Sequence, residues 1–243
     1  MEEKELKTSK GQRIAIALIA IIMLGSIIAS YAAIIVGNSS SATSSNSGLS
    51  AERLAYYQDQ YSEQVKKFKE VSADDFAKFS PYLSEVKAYN ETNANSGGVQ
   101  IRDLAVGTGR ALASDDGDYL AYYVGWCADE KIFDSSLDSD SKPTAFAKAL
   151  DVSTGMIEGW YQGMSGLKLG GIREFTIPGE LAYGDKMEIC GGYNKPLKFL
   201  VMAVAAEDPL KTVAADLDVM YLELQYANAG IDYEKEYAAA SKE

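Results

Sequence analysis

Hydrophobic residues fall along this chain in distinct rhythms. From residue 14 to residue 36 they run without a single charge, IAIALIAIIMLGSIIASYAAIIV. Later they return every third or fourth residue, at Leu54, Tyr57, Tyr61, Val65 and Phe68, which is the stripe of one helical face. Between Val99 and Ala206 the pattern changes to short apolar or alternating runs broken by Gly, Asp and Asn, the signature of strands and turns. Beyond Glu207 helical spacing resumes at Leu210, Val213, Leu217, Met220 or Tyr221, and Leu224, and stops near Gly230.

The first run is long enough to cross a bilayer, since ~1.5 Å per residue carries it roughly 34 Å. Lys4, Lys7, Lys10 and Arg13 precede it and no charge follows until Glu52, which places a cytoplasmic tail at residues 1–13 and everything after residue 36 outside. A cleaved signal peptide is the rival, with Ser30-Tyr31-Ala32 as its cleavage site, although such apolar regions usually span about 7–15 residues. Residues 37–49, rich in Ser, Asn and Gly, read as a flexible tether.

Residues 50–90 read as a helical segment. Ser72-Ala73-Asp74-Asp75 has the spacing of a capping box that restarts the helix, and Ser80-Pro81 opens a further short turn. Phe79, Leu83, Val86 and Tyr89 continue the apolar stripe. Residues 91–98, Glu-Thr-Asn-Ala-Asn-Ser-Gly-Gly, read as a linker before the strand-rich domain at 99–206. Strands are expected at Val99–Val106, Tyr119–Gly125, around Phe133, over Thr144–Leu150, at Ile172–Pro178 and at Leu197–Ala206. One short helix, near Trp160, interrupts them, so the fold class is α+β, an antiparallel sheet packed on that helix. The C-terminal extension, 207–243, is helical and needs a partner face, for which the 54–68 stripe is available.

Composition narrows the chemistry. A net charge of −12 argues against nucleic acid, and the absence of histidine removes imidazole-based nucleophile pairs and metal sites. Cys127 and Cys190 have no metal-ligand spacing. No cofactor or metal is called for. What remains is Met156-Ile157-Glu158-Gly159-Trp160, a tryptophan hemmed in by glycines and large apolar residues. It suits the floor of an apolar pocket, and equally an ordinary core tryptophan beside a turn.

The order of motifs resembles the FKBP-type peptidyl-prolyl isomerases over residues 99–206. The resemblance is carried by Tyr123-Val124-Gly125, Phe133-Asp134-Ser135-Ser136, Met156 to Trp160, Ile177-Pro178 with Ala182-Tyr183-Gly184, and Leu197-Lys198-Phe199. It implies a twisted antiparallel sheet wrapped around the helix that bears Trp160, with a pocket for a proline ring between them. By that resemblance Trp160 is the floor, Tyr123, Phe133 and Phe199 are aromatic walls, and Met156 and Phe146 lie nearby. The Ile157 N–H and the Tyr183 hydroxyl would bind substrate carbonyls, and Asp134 would polarise or orient groups beside the twisting amide.

The chain departs from the family pattern at Thr144, where an aromatic is usual, and at Gly191-Gly192, where an Ile-Pro pair is usual. Cys127 and Cys190 flank the implied pocket mouth on the extracytoplasmic side, and a disulfide between them is expected, with two free thiols as the alternative. The implied function is isomerisation of X-Pro bonds in unfolded or partly folded exported proteins by a membrane-anchored enzyme. The alternative is a chaperone or scaffold on the same fold, whose flanking helices grip partners or self-associate.

Overall fold

The computed structural model describes residues 51–229. The expected membrane run, the tether and the last residues of the C-terminal extension lie outside them. Among the described residues no helix is long and apolar enough to cross a membrane.

The described residues open with α1 (Ala51–Val71), followed by α2 (Ala73–Phe79) and a 3-10 turn at Ser80–Glu85 with Pro81 in its first positions. A one-turn helix, α3 (Glu91–Ala94), leads into β1 (Gln100–Ala105). Then come β2 (Leu120–Trp126), β3 (Ile132–Ser135), the two-residue β4 (Leu150–Asp151), α4 (Glu158–Met164), β5 (Ile172–Ile177) and β6 (Leu197–Val204). The last element among the described residues is α5 (Leu210–Asn228). The sheet runs in the order β1-β5-β6-β2-β3 with β4 beside β2, and every pairing is antiparallel.

Period-two alternation divides the sheet's side chains between two apolar layers. The inner face, against α4, carries Tyr119, Ala121, Tyr123, Phe175, Ile177, Leu197, Phe199 and Val201. The outer face carries Leu120, Tyr122, Val124, Trp126, Ile172, Leu200 and Met202. Covering the outer face are Phe68 and Phe79 from the N-terminal helices and Ala214 and Leu217 from α5. Burial on both sides explains why β2 and β5 are buried along their whole length.

The flanking helices therefore pack in two directions. α1 lies along α5, where Gln64 Nε2 donates to the Asp216 carboxylate at 3.1 Å and Tyr57, Leu224 and Ala227 form a small core of their own. Both helices also sit on the sheet. The 54–68 stripe is thus occupied within the chain, with Tyr57 and Phe68 buried.

The structure corrects several expectations. Ser72 does not cap α2: its hydroxyl donates back to the Phe68 carbonyl at 2.7 Å, because the residue is fully buried at the α1–α2 junction. Of the expected 144–150 strand only Leu150 pairs as a strand, in the two-residue Leu150–Asp151, while Phe146 makes an isolated bridge to Leu137. Residues 91–98 are no spacer. They begin with α3, capped by the Asn90 side chain, and Ala94 is buried.

The turn after β3 is organised by Asp138. Its carboxylate accepts from Thr144 N at 2.9 Å, Thr144 Oγ1 at 2.7 Å and Ala145 N at 3.2 Å, and pairs with Lys69 of α1 at 2.9 Å. Burial works against the ionised form, but these donors outweigh it and hold the carboxyl at about 2, below its ordinary 3.8. A depressed folded-state value stabilises the protein fully above the unfolded pKa, and that stability is lost as pH falls from about 4 through about 2. Asp138→Asn is expected to cost about 2 kcal/mol at neutral pH. In urea titrations the difference between wild type and variant should shrink as the pH is lowered through that window.

Candidate functional site

The site is built where α4 crosses the inner face. Two glycines let the helix come close: a Cβ on Gly159 would lie 2.2 Å from Ile177 Cγ2, and one on Gly163 would lie 2.5 Å from the Phe175 ring. Arg173 of β5 fixes the far end of the helix, donating to the carbonyls of Gly163 at 2.8 Å and Ser165 at 2.9 Å while paired with Asp103. These are carbonyls that the end of a helix leaves unsatisfied.

Trp160 is thereby pressed into an aromatic nest. Its ring meets Tyr123, Phe175 and Phe199 edge-on at centroid distances of 6.0, 5.6 and 5.3 Å, and Phe133 stands edge-on to Phe199 at 5.6 Å. The indole Nε1–H donates to the Tyr119 hydroxyl at 3.0 Å, which satisfies the one polar atom of a side chain only 1% exposed. Gly125 leaves room for the aromatic pair, since a Cβ there would be 2.6 Å from the Phe133 ring. Trp160, Tyr123 and Phe199 are buried; Phe133, Met156, Ile157 and Tyr183 are half-buried around them.

Polar groups are few. The Tyr123 hydroxyl donates to Asp134 Oδ2, and Asp134 Oδ1 accepts from Ser135 N at 2.9 Å and pairs with Lys148 at 3.2 Å. Burial, reinforced by the Asp134 charge, pushes the phenols of Tyr123 and Tyr183 well above their ordinary value, so both remain O–H donors. Ile157 occupies the N-cap position of α4. Among the described residues neither its N–H nor the Tyr183 hydroxyl has a hydrogen-bond partner.

The family model for FKBP-type peptidyl-prolyl cis-trans isomerases matches residues 113–203. An FK506-binding protein of Neisseria meningitidis serogroup B is 37% identical over 111 residues, 44% of this chain and 93% of that protein. The chain belongs to the FKBP-type peptidyl-prolyl cis-trans isomerase family. The FKBP-type 22 kDa peptidyl-prolyl cis-trans isomerase of Escherichia coli is 32% identical over 123 residues, 51% of this chain and 55% of that protein. A crystal structure of a peptidyl-prolyl cis-trans isomerase from Pseudomonas syringae overlaps 55% of this chain and 94% of its own at 23% identity, with a TM-score of 0.37. The family match leaves α1, α2, α3, β1 and α5 outside it.

Within this FKBP-type domain the structure brings together Tyr123, Phe133, Asp134, Met156, Ile157, Trp160, Tyr183 and Phe199 on one side of the sheet. Phe146 is not among them. It lies on the outer face, fully buried, stacked on Tyr122 at 3.9 Å and met edge-on by Phe76 and Phe79. The loop that carries it is held by the Asp138 turn and covered by α2, a partner supplied by the N-terminal flank. Thr144 is exposed and bonded to Asp138, so neither residue supplies an apolar wall. Cys127 and Cys190 are joined by a disulfide with Cα atoms 5.5 Å apart, tying the loop before β6 to the end of β2.

Tyr119, Phe175 and Lys148 also belong to the site. Tyr119 and Phe175 share the parity of Tyr123 and Ile177 on their strands, and strict period-two counting would have found them. Lys148 carried no local signal, because its partner Asp134 lies across a loop.

Proposed function

We propose that this isomerase twists X-Pro amides of exported, unfolded or partly folded polypeptides, held at the outer side of a membrane by residues 14–36. The membrane placement is supported by the length of that run and by the basic residues before it. In this reading the proline ring enters past Phe133, Met156 and Tyr183 and rests on Trp160, with Tyr123 and Phe199 beside it. The observation that carries the reading is an aromatic nest bordered by two donors without partners among the described residues, the Ile157 N–H and the Tyr183 hydroxyl.

The chemistry asks for nothing more. Rotation about a prolyl amide faces a barrier on the order of 20 kcal/mol and requires no acid, base, metal or covalent step. Twisting breaks amide resonance and leaves a less polar bond. A dry aromatic pocket therefore disfavours the planar form more than the twisted one, which is differential binding of the transition state. The Ile157 N–H and Tyr183 hydroxyl hold the flanking carbonyls, so the chain on each side of the proline is oriented while the amide turns. Asp134, gripped by Tyr123, Ser135 and Lys148, presents a fixed negative charge beside the amide.

Exchange NMR on an X-Pro tetrapeptide, with the full chain in detergent, tests the reading. Catalysed cis–trans exchange is expected, and Tyr183→Phe should lower kcat/KM by roughly five- to tenfold, the worth of one hydrogen bond. An unchanged rate in the variant would remove Tyr183 from the site. A chaperone reading on the same fold is favoured by the lack of an apolar wall at Thr144 and Phe146. It predicts aggregation suppression that survives Tyr183→Phe.

A further inference from the structure

We infer that Asn95, on the segment before the family-matched domain, is a positioning residue for the loop that carries Tyr183. This rests on the reading of Tyr183 as a donor to substrate. Residues 178–196 leave the sheet after β5 and return to it at β6 as one excursion. Its outgoing root is a 3-10 turn, Gly179–Leu181, and Tyr183 follows two residues later. The first N–H of such a turn has no partner within the turn, and Pro178, at the capping position, has no side-chain acceptor. Gly179 is buried, so its N–H requires a partner from elsewhere.

Asn95 supplies it. Asn95 Oδ1 accepts from Gly179 N at 2.8 Å, a helix-type cap delivered from 84 residues away in sequence. Its Nδ2 donates at 3.4 Å to the carbonyl of Asn194, on the returning root of the same excursion. Gly184 N donates to Gly179 O at 2.9 Å, and Asn194 N donates to Gly184 O at 2.7 Å. The four residues therefore close a ring of hydrogen bonds, and Tyr183 is attached to one member of it. The ring is tight: a Cβ on Gly179 would sit 2.2 Å from Asn194 O, so no other residue fits that root.

The segment bearing Asn95 is itself anchored to the returning root. Glu91 pairs with Lys195 at 2.8 Å, and the Tyr89 hydroxyl donates to Pro196 O at 2.8 Å. The Cys127–Cys190 disulfide holds the excursion nearer its tip. Asn95 is exposed, so replacing it opens no core. What its amide controls is the direction in which the Gly179–Tyr183 turn leaves the sheet, and hence where the Tyr183 hydroxyl stands over the aromatic nest.

The tetrapeptide exchange assay on the full chain, run as a double-mutant cycle, tests this. Asn95→Ala is expected to lower kcat/KM by roughly three- to tenfold in the wild-type background, the usual range for a lost cap, and to cause no further loss in Tyr183→Phe. Asn95→Asp keeps the acceptor for Gly179 and should recover most of the rate, whereas Asn95→Leu, similar in size but without an acceptor, should not. Equal losses in both backgrounds, equal rates for the Asp and Leu variants, or a wild-type rate for Asn95→Ala would each overturn the inference. If Tyr183→Phe alone runs at the wild-type rate, the underlying reading of Tyr183 fails. If that variant is slow while Asn95→Ala is normal, only the role of Asn95 fails.

Discussion

A fragment of residues 99–206, cut free of both helical flanks, is expected to show no cooperative unfolding transition and to bind hydrophobic dyes. The reason lies on the outer face of the sheet. Tyr122, Trp126, Phe146 and Leu200 are fully buried there, under Phe68 and Phe79 on one side and Ala214 and Leu217 on the other. A large apolar side chain contributes about 1.5–3 kcal/mol on full burial, so uncovering these residues forfeits on the order of 10 kcal/mol. Whole domains are stable by only about 5–15 kcal/mol. Further ties are cut as well. Trp126 Nε1 donates to Lys87 O at 2.9 Å, and Lys198 stands over the rings of both Tyr89 and Trp126. Circular dichroism melts of the fragment and of residues 51–229 would decide the matter. A cooperative melt of the fragment close to that of the longer protein would refute the packing argument.

Trp160→Ala is expected to be the most damaging single substitution at the site. Removing a buried tryptophan costs about 3–5 kcal/mol, and here it also strips the partner from the Tyr119 hydroxyl, which is 2% exposed. The chain has two tryptophans, so Trp126 remains as a fluorescence probe for urea titration of the variant. Under conditions where the variant is fully folded, kcat/KM should still fall by at least roughly tenfold, since the floor of the pocket is gone. Trp160→Phe separates the contributions. It keeps an aromatic floor but loses the N–H and part of the buried ring volume, so it should retain more activity than the alanine variant while remaining less stable than wild type.

Much of this was legible from residue order. The unbroken apolar and aromatic runs at Tyr119–Gly125 and Phe199–Val204 reflect a sheet sandwiched between apolar layers, and the glycines beside Trp160 reflect a helix that must lie close to it. Helical spacing at 54–68 and 210–224 likewise pointed to a pair of helices that pack on each other. Phe146 was misread because the face a side chain takes depends on strand parity, and around it there is only one isolated bridge to set that parity. Residues 91–98 have the Gly, Ser and Asn of a spacer. The same side chains are good caps, and which role they take depends on whether unsatisfied backbone N–H groups stand nearby. For Asn95 that group is Gly179, brought alongside only by the folded sheet. Ser72 had the right spacing for a cap, but its burial between two helices turned the hydroxyl back to the Phe68 carbonyl.

The central claim is that Trp160, its aromatic neighbours and Tyr183 form a working prolyl-isomerase pocket. It is tested most directly by the slow, proline-limited refolding phase of a substrate protein, followed with catalytic amounts of the full chain. The rate should rise in proportion to enzyme concentration and fall several-fold with Tyr183→Phe. A slow phase indifferent to enzyme concentration would contradict it.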